Sequence, residues 1–244
     1  MQKISQPLRL TGAKNIRDLG GYTTDTGART KTHEFLRGDT LSNLTDEDCR
    51  LLIDYGVRCV IDLRSQDEVE RSPDRLHQLY ESIVYVNIPL QDHVRANRYT
   101  SEFPPSMWQL YYWLLDDSGS SFRQIFETIE QYTDSCILFH CAGGKDRTGL
   151  LAMLLLKLAG VDDETVIGDY SLSEKVMKDI FPLQAAEMES RGLTVPPYIL
   201  KSPPEDMQRA LKHLHANYHT AENYLMHLGL TANEINAIRK KLVG

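Results

Sequence analysis

The sequence predicts an α/β fold in which a small, mostly parallel central sheet is flanked by helices and the C-terminal third is helical. Up to residue 140, short apolar runs alternate with amphipathic stretches, a pattern typical of strands that alternate with helices. After residue 148 every patterned segment has helical periodicity. Neither an internal repeat nor a linker divides the chain, so we expect residues 1–244 to form one domain.

The first half of the chain predicts extended segments and then alternating helices and strands. Residues 8–40 are rich in turn residues and are predicted to be extended segments joined by turns. Thr45 is a suitable N-cap and Gly56 a suitable stop for the first helix. The predicted elements that follow are a helix over 44–55, a strand over 57–63, a short acidic helix from about 65 that ends before Pro73, and a strand over 83–89.

Residues of about 92–117 form an insertion that is rich in proline and aromatic residues. Two interpretations stay open: a lid over a binding pocket, or a helix that packs its aromatic side chains on the core. The chain then predicts a helix over 121–132 and a buried strand over 135–139. Thr231 and Glu234 form the pattern of a capping box at the last helix. The helices predicted after the strand cover 148–159, 162–175, 178–190, 204–217, 220–228 and 231–242.

The composition excludes several classes of protein. Hydrophobic residues make up 41% and charged residues 25% of the chain, as in ordinary globular proteins. No stretch approaches the roughly 20 apolar residues of a membrane span, and the first residues lack the apolar region of a signal peptide. The net charge of −7 argues against a nucleic-acid partner. We expect no integral membrane segment and a cytoplasmic location, with secretion by a route without a cleavable signal left open.

Four cysteines are present, and none forms a CxxC pair. No histidine cluster has zinc-binding spacing, so we expect neither a metal nor another cofactor. Cys59 and Cys136 lie in apolar runs and are predicted to be buried thiols. The alternative interpretation is that one of them pairs with an oxidised Cys141 and protects it from further oxidation.

Residues 140–149, with the sequence HCAGGKDRTG, are the most informative part of the chain. They join the buried strand to a buried helix, so the N–H groups of the 141–147 loop and of the first helical turn converge on one anion site. A cysteine at that point is expected to be held as a thiolate, because the field that binds an oxyanion also favours this form. Arg147 supplies a planar fork that can hold two phosphate oxygens. The loop therefore predicts phosphoryl transfer to sulfur.

The loop resembles the His-Cys-x5-Arg-Ser/Thr signature of the cysteine-based phosphatases. Its GKDRTG ending, with NIRDLGGY at residues 15–22, is similar to the bacterial and fungal tyrosine phosphatases, some of which also cleave phosphoinositides. Weaker collinear likenesses occur at 35–39, 60–65 and 224–235, so the resemblance spans nearly the whole chain. It implies a tyrosine-phosphatase-like fold and hydrolysis of phosphate monoesters through a cysteinyl-phosphate.

Each residue type suggests a role in this chemistry. Cys141 is the predicted nucleophile and Arg147 the phosphate clamp, while His140 is expected to orient the loop. Thr148 is interpreted as a hydroxyl donor to the sulfur, as a helix cap, or as both. Arg17, Arg37 and Asp39 are expected to be structural. The other residues predicted to bind phosphate or substrate are Ala142, Gly143, Gly144 and Lys145, together with Asp62 and Arg64, for which a structural ion pair is the alternative.

The leaving group needs a proton, so a general acid is expected. Asp146, inside the loop, is what the resemblance suggests, and a salt bridge to Arg147 is its structural alternative. Asp92 resembles the acid of dual-specificity and tensin-type phosphatases but stands far upstream. Asp116 and Asp117 match the mobile acid loop of the classical tyrosine phosphatases poorly. We favour Asp146, with Asp92 second.

The function predicted from the sequence is that of a protein-tyrosine phosphatase. The alternative is a phosphoinositide or inositol phosphate phosphatase with the same mechanism, for which Lys145, as a second cation beside the phosphate, is a weak indication. A rhodanese-like sulfur transferase also uses a loop cysteine, but Arg147 followed by Thr148 favours the phosphatase. An inactive phosphate-binding module would usually lack Cys141 or Arg147.

Overall fold

The computed structural model describes residues 2–90 and 103–243. In chain order, the strands of this part are β1 (Arg17–Asp18), β2 (Phe35–Gly38), β3 (Val57–Asp62), β4 (Val84–Asn87) and β5 (Cys136–His140). They form one sheet in the order β1-β2-β5-β3-β4. Only β1 runs antiparallel to its neighbour. The predicted small, mostly parallel sheet is confirmed.

The helices agree with the prediction to within a few residues and dominate the C-terminal third. Those before the 141–147 loop are α1 (Asp46–Tyr55), α2 (Gln66–Arg71), α3 (Arg75–Leu79), α4 (Met107–Asp117) and α5 (Gly119–Gln131). Those after it are α6 (Asp146–Leu158), α7 (Asp163–Val176), α8 (Phe181–Ser190), a 3-10 helix (Pro197–Leu200), α9 (Pro204–Tyr218), α10 (Ala221–His227) and α11 (Ala232–Leu242). Helix α3 was not predicted.

Alternation along β5 divides the core into two clusters. Ile137 and Phe139 belong to a large cluster that includes side chains of α4 to α7 and of α9 to α11. Cys136 and Leu138 belong to a smaller one with side chains of α1 and α3. Successive strand residues point to opposite faces, so helices cover both faces of the sheet, as parallel sheets require. Helix α6 is buried on nearly every side.

Local capping explains where the first helix begins and ends. The Thr45 side chain accepts a hydrogen bond from the N–H of Asp48, and the Asp48 carboxylate accepts one from the N–H of Thr45. This capping box satisfies free donors of the first turn. Gly56 ends the helix with φ of 106°, a left-handed conformation that favours glycine. The chain then enters β3 directly, so the turn sets where this strand starts.

The described part of the insertion is a packed helix. Helix α4 buries Met107, Leu110, Tyr111, Leu114 and Leu115 in the large cluster. Residues 107–117 therefore follow the packed-helix interpretation. Asp92, the second candidate acid, lies outside the described residues. None of the helices in the described ranges is both long and apolar enough to span a membrane.

Candidate active site

The carboxyl ends of β2, β5 and β3 meet at one edge of the sheet, where ligands bind in open α/β folds. The 141–147 loop leaves this edge from β5 and leads into α6. Cys141 lies at the base of a cleft of about 450 Å³ and is 3% exposed. In this part of the structure no side chain caps the N-terminus of α6. Its first N–H groups are therefore suited to an anion.

Glycine is required where the loop passes close behind β2. Gly144 has φ of 65°, and a Cβ placed there would lie 2.6 Å from the backbone of Gly38. The Asn15 amide donates to the carbonyls of Gly143 and Gly144 at 3.0 and 3.2 Å, and Arg37 donates to the latter at 2.8 Å. These bonds hold the loop carbonyls away from the cleft, so that the N–H groups can face it.

A buried charge network supports this arrangement from behind. The Asp169 carboxylate on α7 accepts hydrogen bonds from Arg17 at 2.9 Å and from Arg37 and Tyr22. Burial opposes the charged carboxylate, but the two arginines prevail and hold the pKa of Asp169 at about 2. Arg17 also donates to the Asn15 side chain at 2.5 Å. The expectation that Arg17 and Arg37 are structural agrees with this geometry, whereas Asp169 was not predicted.

Arg147 ends the loop with its guanidinium held by Glu68. Its two terminal nitrogens lie 2.6 and 2.9 Å from the two carboxylate oxygens of Glu68. Burial opposes the ionised carboxylate, yet Arg147 lowers the pKa of Glu68 from 4.5 to about 2. Glu68 also forms a capping box with Ser65 at the start of α2. The sequence analysis missed Glu68; the Ser-x-x-Glu pattern was its only local signal.

Lys145 and Asp146 line the cleft but differ in their contacts. The Lys145 ammonium donates to the carbonyls of Ile199 and Lys201 at 2.5 and 2.7 Å and lies 3.4 Å from Asp146. The ammonium therefore binds carbonyl groups at the C-terminal end of the 3-10 helix. This engagement removes the weak indication of wider substrates that Lys145 provided. The Asp146 carboxylate accepts a hydrogen bond from Tyr111 at 2.5 Å.

Asp62 and Arg64 are not among the residues that line the cleft. They form a buried ion pair with nitrogen–oxygen distances of 2.6 to 3.0 Å. His140 lies 3.6 Å from Asp62 and 3.5 Å from Asp74. Burial disfavours the charged imidazole, but these carboxylates raise the pKa of His140 above its usual value. The geometry corresponds to the structural ion pair, which lies close to His140, the residue before Cys141.

The structure contradicts the helix-cap interpretation of Thr148 and leaves its role as a hydroxyl donor to the sulfur as a prediction. Its hydroxyl is buried without a hydrogen-bond partner in the described structure, and no side chain caps α6 there. The hydroxyl is therefore an uncommitted donor one residue beyond Arg147.

The two buried cysteines cannot protect Cys141. Cys136 opens β5 and Cys141 follows its end, which places them about 16 Å apart along an extended strand. Cys59 pairs in register with Ile137, at the same distant end. A disulfide requires Cα atoms within about 7 Å, so the protective pairing is wrong. Cys59 and Cys136 are free and buried, as the first interpretation predicts, and the other two cysteines are also free and buried.

Apolar side chains form much of the lining of the cleft, although Ser65, Asp67, Arg71, Gln184 and Arg191 also line it. The apolar side chains come from the start of α4 and the preceding residues, from α8 and from residues 193–200. The main wall side chains are Phe103, Pro104, Met107, Leu110, Phe181 and Met188. Such walls bury an apolar ring and leave the anion to the loop.

A strand, a glycine-containing loop and a helix that bring a cysteine and an arginine to one anion site define a cysteine-dependent phosphatase. Comparison with known proteins identifies the group more narrowly. The model of the tyrosine phosphatase family matches residues 8–244, and the chain belongs to this family. The protein is a phosphatase, a hydrolase of phosphate esters.

Individual relatives agree with this assignment. The chain is 33% identical over 218 residues to a tyrosine-protein phosphatase of Nostoc commune, which covers 85% of this chain and 74% of that protein. It is 28% identical over 193 residues to the triple specificity protein phosphatase PtpB of Mycobacterium tuberculosis, covering 66% and 67% of the two chains. Among solved structures, P. aeruginosa TpbA in complex with phosphotyrosine is 8% identical, with a TM-score of 0.46 over 95% of this chain and 100% of that chain.

Proposed function

We propose that this protein hydrolyses phosphotyrosine in proteins, through a cysteinyl-phosphate on Cys141, as a single domain in the cytoplasm. The observation that supports it is the cleft itself, which has Cys141 at its base, the uncapped N-terminus of α6 beside it and apolar walls above. Four free cysteines fit a reducing compartment.

In the first step, the Cys141 sulfur forms a bond to phosphorus while the bond from phosphorus to the tyrosine oxygen breaks. The N–H groups of residues 142–147 and the Arg147 guanidinium hold the non-bridging oxygens, whose charge they stabilise in the transition state. Asp146 gives its proton to the departing tyrosine oxygen. The buried pair Asp62–Arg64 and His140 orient the strand end that carries the sulfur.

In the second step, water attacks the cysteinyl-phosphate. Its oxygen forms the new bond to phosphorus, Asp146 takes one of its protons, and the sulfur–phosphorus bond breaks. The electron pair returns to sulfur, and the uncommitted hydroxyl of Thr148 is available to stabilise the leaving thiolate. Inorganic phosphate leaves, and the enzyme returns to its starting state.

Apolar walls favour a phenyl ring over an inositol ring, because an inositol ring carries hydroxyl groups that would need hydrogen-bond partners on burial. Met107 and Leu110 of α4 and Phe181 and Met188 of α8 provide surface suited to a flat ring. A phosphotyrosine side chain fits this distribution of polar and apolar groups, with its phosphate at the base and its ring between the walls.

A phosphoinositide or an inositol phosphate is the second candidate substrate. Arg71 and Arg191 line the same cleft, and their guanidinium groups have no ion-pair partner in the described part of the chain. Two uncommitted cations beside a phosphate site would suit a ligand with a second phosphate.

The test is to measure initial rates on a phosphotyrosine peptide and on a panel of phosphoinositides, in EDTA, for the wild type and for Cys141→Ser. We expect turnover of the peptide in EDTA and its loss in the variant. Equal activity in both proteins, or none in either, would contradict the cysteine mechanism. Faster turnover of a phosphoinositide than of the peptide would contradict the tyrosine substrate and leave the mechanism intact.

A further inference from the structure

The two carboxylate oxygens of Asp146 have different surroundings. Oδ1 accepts the hydrogen bond of Tyr111 at 2.5 Å and lies 3.4 Å from the Lys145 ammonium. Oδ2 has no hydrogen-bond partner among residues 2–90 and 103–243. The side chain is 25% exposed and lines the cleft. One oxygen is thus engaged by donors from the protein and the other is uncommitted.

A second tyrosine defines the direction of this hydrogen bond. The Tyr111 and Tyr170 hydroxyls are 2.7 Å apart. Tyr111 has only one hydroxyl proton, and a carboxylate oxygen that lacks a proton can only accept. When Tyr111 donates to Asp146, Tyr170 must therefore donate to Tyr111. The chain of donors runs from Tyr170 through Tyr111 to Oδ1.

Packing fixes both tyrosines in place. Tyr111 on α4 is 0% exposed and Tyr170 on α7 is 1% exposed, with ring centroids 6.0 Å apart in an edge-to-face contact. Burial first, and then the nearby Asp146 carboxylate, raise the pKa of both hydroxyls well above the usual value. Both hydroxyls therefore keep their protons over the whole range in which an enzyme is assayed.

We propose that Tyr111 is a positioning residue that keeps the transferable proton of Asp146 on Oδ2. This inference rests on the proposed function and deepens it. Since Oδ1 already accepts from Tyr111, a proton on Oδ1 would face another donor, whereas Oδ2 can carry it freely. As the phosphorus–oxygen bond breaks, the proton moves from Oδ2 to the phenolic oxygen. In the second step Oδ2 takes a proton from the attacking water.

The dependence on the leaving group separates this role from a structural one. A tyrosine oxygen, with a pKa of about 10 in the free phenol, needs the proton, whereas 4-nitrophenolate leaves readily without it. For Tyr111→Phe we expect kcat on tyrosine phosphate to fall about 10- to 100-fold, within the range that general acid catalysis and its alignment supply. On 4-nitrophenyl phosphate we expect a change of less than about threefold.

Tyr224→Phe is the matched control. Tyr224 is also fully buried, and its hydroxyl donates to the carbonyl of Leu115 on the same helix, α4, at 2.8 Å. Loss of the Tyr224 hydroxyl should leave the ratio of the rates on tyrosine phosphate and on 4-nitrophenyl phosphate unchanged. Tyr170→Phe keeps the hydrogen bond between Tyr111 and Asp146. We therefore expect the ratio of kcat on tyrosine phosphate to kcat on 4-nitrophenyl phosphate to fall, but less than in Tyr111→Phe. If thermal melting shows that Tyr111→Phe does not fold, Tyr170→Phe provides the test instead.

The Asp146→Asn background completes the experiment. If Tyr111 acts through Asp146, adding Tyr111→Phe to Asp146→Asn should cause no further selective loss on tyrosine phosphate. Equal slowing of both substrates by Tyr111→Phe, or an Asp146→Asn variant with unchanged leaving-group dependence, would overturn the inference. Failure of the proposed function is a separate result, since it would appear as equal turnover in the wild type and in Cys141→Ser, or as no turnover in either.

Discussion

Glu68→Gln removes the charge that holds Arg147 and keeps the shape of the side chain. The pKa of Glu68 is about 2 in the fold against an ordinary 4.5, which corresponds to about 3 kcal/mol in favour of the folded state when the carboxylate is ionised. Because the pKa is lower in the folded state, this contribution is complete well above pH 4.5. It is lost as the pH falls towards 2.

Urea denaturation of the wild type and of Glu68→Gln at pH 7 and pH 4 measures this contribution. We expect the variant to be less stable by about 3 kcal/mol at pH 7, and the difference to be smaller at pH 4 by roughly 1 kcal/mol. The same change should lower kcat/KM about tenfold, because a less oriented guanidinium stabilises the transition state less.

Glu222→Gln is the control for this experiment. Glu222 pairs with Arg239 at 2.6 Å, but the two side chains are 43% and 35% exposed, so the loss should stay below about 1 kcal/mol. A stability difference for Glu68→Gln that remains constant between pH 7 and pH 4 would refute the assignment of the lowered pKa to Arg147.

Three further predictions concern the loop and its support. Gly144→Ala should abolish activity and lower the melting temperature, since the added Cβ would lie 2.6 Å from the backbone of Gly38; an active, equally stable variant would contradict the packing. Asn15→Ala should keep the fold by circular dichroism but reduce kcat/KM about tenfold, because the carbonyl of Gly143 loses its Asn15 donor and that of Gly144 keeps only Arg37. Unchanged kinetics would show that the loop holds its shape without Asn15. His140→Asn should cost more stability at pH 6 than at pH 9 in urea titrations. The pKa of His140 is raised in the folded state, so its contribution to stability is complete below the unfolded pKa of about 6.5 and is lost as the pH rises through the folded pKa.

Much of the fold could be predicted because its signals are local. The strand that ends at His140, the loop and the buried helix α6 are consecutive in the chain, and each has its own pattern. The N-cap at Thr45 and the capping box at Thr231 were predicted from the sequence, and both are present in the structure. Local propensity and tertiary packing agree in these segments, which makes them predictable.

The support of the site was not predictable because its partners are distant in sequence. Asp169 contacts Arg17 across 152 positions, and Glu68 contacts Arg147 across 79. The local pattern of Asp169 does not differ from that of an acidic residue on a solvated helix face, and the spacing of Glu68 from Ser65 indicates a helix cap but no contact with Arg147. Tyr111 is a further case, since its position in an aromatic helix indicates burial but not a hydrogen bond to Asp146. The sequence predicts which residues react and leaves open most of those that orient them.

The buried carboxylate of Asp169 also has a consequence for synthesis of the protein. A ribosome makes Arg17 and Arg37, which pair with this carboxylate, long before it reaches Asp169. At about 5–20 residues per second, the 152 positions between Arg17 and Asp169 take about 8–30 s to translate. Two guanidinium groups are costly to bury together without their carboxylate, so we expect the loop that contains Cys141 to lack this support until α7 has emerged. We therefore expect the loop to reach its folded shape only late in translation.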